Sequence, residues 1–425
     1  MKSLNFTLAL LIALSLVLSA CGPSPSASLA QSSIRRETDP SVPANDAQTL
    51  VRGDNAFALD MYRSLRDGDE GNLIFSPFSI SLALAMTYAG ARGETESQMA
   101  QTLHFDLPQS QLHPAFNALD LALAKRGESA DKDREPLQLR IANAVWAEQT
   151  FPFQQDFLDT LAFNYGAGIR QADFINNYEP VRKEINAWVE DQTEDKIKNL
   201  LPEGVLDSFT RMVLVNAIYF KADWLYKFEK ESTSDQPFHL LDGSTVTVPL
   251  MSQETYAPYA KGDGWQAIDF PYAGETASMT IILPDEGRFE SFESTFDLAT
   301  LDSILSGLTP TSLIFALPKF SFTRDFGLAD RLAAMGMPDA FDPNRADFSG
   351  MTGKPDLYIS DVIHKAFVAV DEEGTEAAAA TAVIMELASA PMFEVRMIVD
   401  RPFLFLIRDT VSGQILFMGR VVNLR

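Results

Sequence analysis

Histidine and cysteine are scarce in this 425-residue chain, with four of the first and one of the second. Cys21, being alone, can close no intramolecular disulfide in any redox compartment. His104, His113, His239 and His364 lack metal-ligand spacing, so no metal site is expected. Basic residues are short as well: 34 Lys plus Arg against 58 Asp plus Glu leave a formal charge of -24, which argues against a phosphate-backbone ligand and hence against nucleic acid as partner. The common signatures of catalysis are also missing. No H-E-x-x-H, G-x-S-x-G, G-x-x-x-x-G-K-[ST], dinucleotide G-x-G-x-x-G or paired C-x-x-C occurs, and catalysis by this chain is not expected.

Long apolar runs are missing near the start, where one would mark a membrane span. Leu8 to Leu18 falls short of the roughly 20 residues a span needs and, behind Lys2, reads as the core of a signal peptide over residues 1–20. It ends at Leu18, Ser19, Ala20 and Cys21, which resembles a bacterial lipobox; that resemblance implies a lipid on Cys21 and attachment to a membrane of the bacterial envelope. The alternative is ordinary cleavage after Ala20, leaving a free thiol. Residues 21–48 are rich in Pro, Ser and Ala and cannot bury a core, so a disordered tether is expected there, followed by one folded domain over 49–425.

The stretch the folded part is organised around is 363–391, IHKAFVAVDEEGTEAAAATAVIMELASAP. It opens with the alternation of a strand, Ala366, Val368 and Val370, and turns acidic at Asp371, Glu372 and Glu373 before Gly374. By propensity alone Thr375 to Leu387 is a surface helix. By parity it is a strand. Thr375, Ala377, Ala379, Thr381, Val383, Met385 and Leu387 share one face, and both glutamates, Glu376 and Glu386, fall on the other, so an uncharged face could enter a sheet.

Around this stretch the chain reads as α+β. Asn72 to Met99 predicts a short strand, Ser76 as N-cap, Pro77 at the first helical position and a helix apolar all round, hence buried. Leu137 to Gln149 alternates like a strand, Ile185 to Pro202 is an amphipathic helix with its exit, and Met212 to Trp224 is the strongest buried strand by β-branched and aromatic content.

Two strings carry a family resemblance. Glu372, Glu373, Gly374, Thr375, Glu376, Ala377, Ala378, Ala379, Ala380 and Thr381 resemble the proximal hinge of the reactive-centre loop of the serpins, the serine protease inhibitors, and Val399 to Ile407 resembles that family's C-terminal signature. The resemblance implies a large central sheet, two further sheets, eight or nine helices and an exposed reactive-centre loop. It implies an inhibitor that a target protease attacks as a substrate and that traps the acyl-enzyme by inserting its loop as a strand. Family spacing places the scissile bond fourteen residues past Gly374, between Ala388 and Ser389. Ala388 suits elastase-like or subtilisin-like enzymes, while Leu387 and Met385 would attract chymotrypsin-like ones. With no Arg or Lys from Asp371 to Val395, trypsin-like targets are disfavoured.

By the same resemblance His364 matches a shutter histidine that bonds a polar cluster with Ser76, Ser79 and Asn216. Glu372 and Lys319 match a salt bridge at the top of the sheet, the breach, beside Trp224. The helix near Gln109 to Arg126 has Lys125 and Arg126 as its only cations, so no heparin-type cofactor, and no other, is expected. The protein is expected as a monomer. Asp195 stands where the family usually has Gly, which weakens a helix C-cap. The alternative function is a non-inhibitory member acting as a binding or storage protein; the small residues Ala377 to Ala380 speak against it.

Overall fold

The computed structural model describes residues 27–126, 137–375 and 395–425. In chain order the first half runs β1 (Ser28–Ala30), α1 (Ala44–Arg66), β2 (Leu73–Phe75), α2 (Pro77–Tyr88), α3 (Gly93–Thr102), α4 (Gln109–Lys125), β3 (Gln138–Glu148), α5 (Gln155–Tyr165), β4 (Ile169–Ala172), α6 (Phe174–Gln192) and β5 (Met212–Asp223). The second half is richer in strands: β6 (Ser234–His239), β7 (Thr245–Gly262), β8 (Trp265–Pro271), β9 (Ala277–Pro284), α7 (Phe289–Thr295), α8 (Leu298–Gly307), β10 (Thr309–Pro318), β11 (Phe320–Gly327), α9 (Ala329–Met335) and α10 (Ser349–Thr352). It closes with β12 (Asp361–Val370), β13 (Gly374–Thr375), β14 (Val395–Ile398), β15 (Phe403–Asp409) and β16 (Ile415–Val421). The described residues hold ten α-helices against the expected eight or nine.

The main sheet has the order β1-β4-β3-β5-β13-β12-β11. Two further sheets meet in the long strand β7. Its first part pairs with β6 and β10, and its last residues, Tyr259 to Gly262, pair with β8, from which the path continues through β9, β15, β16 and β2. The buried helix is as the sequence predicts: every residue of α2 is buried, Ser76 caps it by accepting from the Ser79 amide at 3.2 Å, and Pro77 occupies the first turn. A helix without a polar face belongs under a sheet, and α2 packs against β3 and β5. The opposite face of that sheet is covered by α6 and its exit. Val181, Ile185, Val189, Ile197, Leu200 and Leu201 close over Val213, Val215 and Ala217 of β5 and Ile363 of β12.

The expected tether is corrected in part. Residues 27–43 are ordered against the body. Ser28–Ala30 adds an antiparallel strand to β4, pairing Ala30 with Ile169. Beyond it the Ser32 hydroxyl donates to Asp159 at 2.5 Å, and Arg36 binds Asn117 at 2.8 Å and Asp120 at 2.6 Å. The segment indeed has no core of its own; Leu29 is 53% exposed. It is held by a backbone ladder and polar pairs offered by the domain, which composition alone does not reveal.

Candidate functional site

Strands β5 and β12 are parallel neighbours in the middle of the main sheet, paired directly from Val213 and Asp361 up to Ile218 and Ala366. Above that point they part. The chain leaves β12 at Val370, turns, and re-enters between them as β13, setting Gly374 against Asp223 and Thr375 against both Ala222 and Val370. The turn is closed by Asp371, whose amide donates to the Gly374 carbonyl at 3.0 Å and whose carboxylate accepts from the Glu373 and Gly374 amides at 2.9 and 3.3 Å. Glycine is needed at 374 because of crowding. A Cβ there would lie 2.1 Å from the Ala222 carbonyl oxygen and 2.8 Å from the Asp223 Cα, both of them backbone that cannot rotate away.

The flanks of this wedge are polar. Glu372 accepts from Lys319 Nζ at 2.6 Å and from the Thr233 hydroxyl at 2.8 Å. Burial pushes the Glu372 carboxyl up, but the Lys319 bond, backbone and Thr233 hydrogen bonds and the Lys319 charge outweigh it and hold the group below its ordinary range. An ion pair between exposed side chains is worth only about 0–1 kcal/mol. Glu372 is in fact buried, at 5% exposure, so removing Lys319 would strand a carboxylate with only Thr233 and backbone for company. Trp224 donates through its indole to the Asp371 carbonyl at 2.9 Å, and its amide donates to the Glu373 carbonyl at 2.8 Å. The expected trio of Trp224, Lys319 and Glu372 thus meets at one place.

Sequence reasoning missed the other half of this cluster. Glu373 is held by Lys227 at 2.9 Å and Lys230 at 3.4 Å, Lys227 also binds Asp223 at 2.8 Å, and Tyr272 reaches the Thr375 hydroxyl at 2.6 Å. Asp223 and Lys227 stand four apart, but across the end of a strand, where that spacing predicts no pairing, and Tyr272 gave no signal because it arrives from another sheet.

Lower down, where β5 and β12 pair directly, His364 faces Asn216 across the strands. The Ser76 amide donates to His364 Nε2 at 3.1 Å, so that nitrogen carries no proton, and Nδ1 must donate to Asn216 Oδ1. Burial pushes the His364 pKa down to about 3, which agrees with a neutral ring. Asn216 donates onward to Ser79 Oγ and to Asn143 Oδ1, and Asn143 Nδ2 returns a bond to the Ser79 carbonyl at 3.0 Å. The structure therefore joins Ser76, Ser79, Asn216 and His364, and adds Asn143, which stands opposite Asn216 on β3.

The remaining expected residues, Glu376 to Thr381, Met385, Leu387, Ala388 and Ser389, lie outside the described residues, as does Cys21. No group of three or more His, Cys, Asp or Glu that could hold a metal occurs among the described residues.

Comparison with known proteins gives one family. The model for "Serpin (serine protease inhibitor)" matches residues 52–424. The leukocyte elastase inhibitor of Equus caballus is 41% identical over 383 residues, covering 88% of this chain and 99% of the relative. An uncharacterized serpin-like protein of Thermococcus kodakarensis is 40% identical over 377 residues, covering 88% of this chain and 85% of that protein. Among solved structures, the thermophilic serpin tengpin in its native state superposes with a TM-score of 0.83 at 30% identity, covering 94% of this chain and all of that one.

Proposed function

This chain belongs to the serpin family, and on that premise we propose that it inhibits endopeptidases of the serine class, with cysteine endopeptidases as a second target class, as a suicide substrate. The target's nucleophile attacks the Ala388 carbonyl, the Ser389 amine leaves, and an acyl-enzyme forms. Before water can hydrolyse that ester or thioester, Thr375 to Leu387 inserts between β5 and β12 and carries the protease with it. The observation that carries this reading is the hinge itself: Gly374 and Thr375 already occupy the top of the slot. Elastase-like targets are favoured by the small Ala388 and by the name of the Equus caballus relative; subtilisin-like enzymes share that preference, and Leu387 or Met385 would serve chymotrypsin-like ones. The Ser76, Ser79, Asn216 and His364 cluster then acts as the shutter that resists opening, and Trp224, Lys319 and Glu372 as the breach that admits the loop.

Incubation with elastase-like, subtilisin-like, chymotrypsin-like and trypsin-like proteases, followed by denaturing electrophoresis, tests it. A covalent band with one of the first three is expected. Cleavage of the loop by all without a band would overturn inhibition and move the protein to the binding or storage class.

A second proposal concerns placement. The apolar run Leu8 to Leu18 followed by Cys21 supports export and lipidation, with the inhibitor held as a monomer at a bacterial envelope. Cys21→Ser should release the full-length protein from the membrane fraction; unchanged fractionation would defeat the lipid anchor and leave the inhibitor reading intact.

A further inference from the structure

The described part of the hinge ends on a hydroxyl pair that the proposed mechanism does not require. Thr375 and Tyr272 are both buried, at 2% and 0% exposure, and their oxygens lie 2.6 Å apart. Tyr272 cannot swing away from this position. Its ring stacks on Trp224 with centroids 4.6 Å apart and planes 7° apart, and it meets Phe220 edge-on at 5.1 Å. Its backbone is pinned as well, bridging Trp224 and donating to the Ala277 carbonyl at 3.0 Å. Burial also keeps the phenol protonated, its pKa pushed well above the ordinary value.

Each buried hydroxyl therefore has the other as its side-chain partner, and losing one strands the other. The bond also spans two layers: Thr375 belongs to the main sheet and Tyr272 follows β8 of a further sheet. We propose that Tyr272 is a positioning residue for loop insertion, a fixed hydroxyl that docks Thr375 in the slot so that the first rung of the new strand is made before any protease arrives. This deepens the inhibitory reading and rests on it.

Insertion of a strand resembles other ordering processes in that the first contact is the costly one, fixing backbone before the ladder returns anything. With Thr375 already seated, the race between insertion and hydrolysis of the acyl-enzyme starts one step ahead. Without the docked threonine the loop would still be cut at the same bond, since the Tyr272 pair touches no protease. Loss of the latch should therefore show in partition and leave encounter unchanged.

Two measurements test this, on the full folded protein. Amide hydrogen exchange at Gly374 and Thr375 reads the docking directly and needs no target. Tyr272→Phe and Thr375→Val should each speed exchange there by about tenfold or more, whereas Thr375→Ser, which keeps the hydroxyl, should match the parent. The second readout is the number of inhibitor molecules consumed per protease inactivated. It should rise several-fold in Tyr272→Phe and Thr375→Val, with the association rate, corrected for that ratio, retained. The double variant should be no worse than the poorer single one, because both remove the same bond.

Unchanged exchange in Tyr272→Phe, or an additive double variant, overturns the latch. Faster exchange with an unchanged consumption ratio overturns its role in insertion. If the parent forms no covalent complex with any protease, the inhibitory reading fails while exchange still decides the docking.

Discussion

The upper and lower halves of the β5 and β12 pair are built from opposite materials. Above Ile218 and Ala366 the strands are held apart by Gly374 and Thr375, and the contacts around them are charges and hydroxyls at the sheet's rim, Lys319 with Glu372, Lys227 with Glu373, Tyr272 with Thr375. Below, the strands pair directly, the polar pair that joins them, His364 and Asn216, is wholly buried with a neutral ring, and α6 with its exit covers the opposite face of the sheet. A loop that descends the slot can keep the upper contacts, since they involve residues already in place. Every lower contact between β5 and β12 has to be given up and remade. The sheet is thus begun where entry is cheap and sealed where it is dear, and the two halves should respond differently to mutation.

The largest effect should come from refilling the upper half. Gly374→Val puts carbon where the Ala222 carbonyl and Asp223 backbone already stand, so the wedge must leave the slot. We expect inhibition to be abolished, with the loop cleaved as a plain substrate, as read by titrating residual protease activity; retained inhibition would show that the pre-inserted hinge is dispensable.

Next comes the lower seal. Asn216→Ala removes the group through which His364, Ser79 and Asn143 are joined, and leaves buried partners unmet at about 1–3 kcal/mol each. The native form should melt earlier, by several degrees in a thermal scan at fixed rate. Lys319→Ala, in the upper half, should cost about 1–3 kcal/mol in the same scan, for the buried Glu372 it deserts.

An effect of comparable size probes the lower half by pH. The His364 pKa is about 3 in the fold against an ordinary 6.5, so between those values an unfolded chain takes up a proton that the native chain refuses. Stability from this group is complete above pH 6.5 and falls as pH drops, by up to about 1.4 kcal/mol per pH unit. His113, pushed down to about 4 by burial, acts in the same direction, while Asp54, pushed up to about 8, favours the acid side over its own range. Subtracting the pH profile of His364→Gln from that of the parent isolates the one group. The parent should lose more between pH 6.5 and 4; parallel profiles would contradict a buried neutral ring.

The smallest effect lies above the lower half. Asp195 follows α6 at φ +62°, a left-handed conformation that favours glycine, and Asp195→Gly should stabilise the exit of α6 by about 0.5–1 kcal/mol in denaturant unfolding.

Much of this was legible in the sequence for a physical reason. Period and polarity are local properties, and they reported the buried α2, the strand β5 and the capping Ser76 directly, while the unusual Asp195 stood out through the family resemblance. Contacts that cross between sheets are not local. Tyr272 looks like any strand-end aromatic until β8 is brought beneath Trp224, and Asn143 in an otherwise apolar alternation gained meaning only when β3 set it opposite Asn216. The segment 27–43 failed differently. Its composition truly predicts that it cannot fold alone, and it does not; its order belongs to the edge of β4 and to Asn117, Asp120 and Asp159, which no window along the segment contains.

That clasped segment changes how far the molecule could stand from a membrane. A free leader of residues 22–48 would let an anchored inhibitor roam, its loop sweeping targets in every direction. With Ser28–Ala30 fastened to β4, the slack between Cys21 and Ala27 is six residue steps, roughly 20 Å at full extension. An anchor on Cys21 would then moor the body by the β4 flank of its main sheet, close to the lipid surface, and the bilayer itself would screen which proteases can approach.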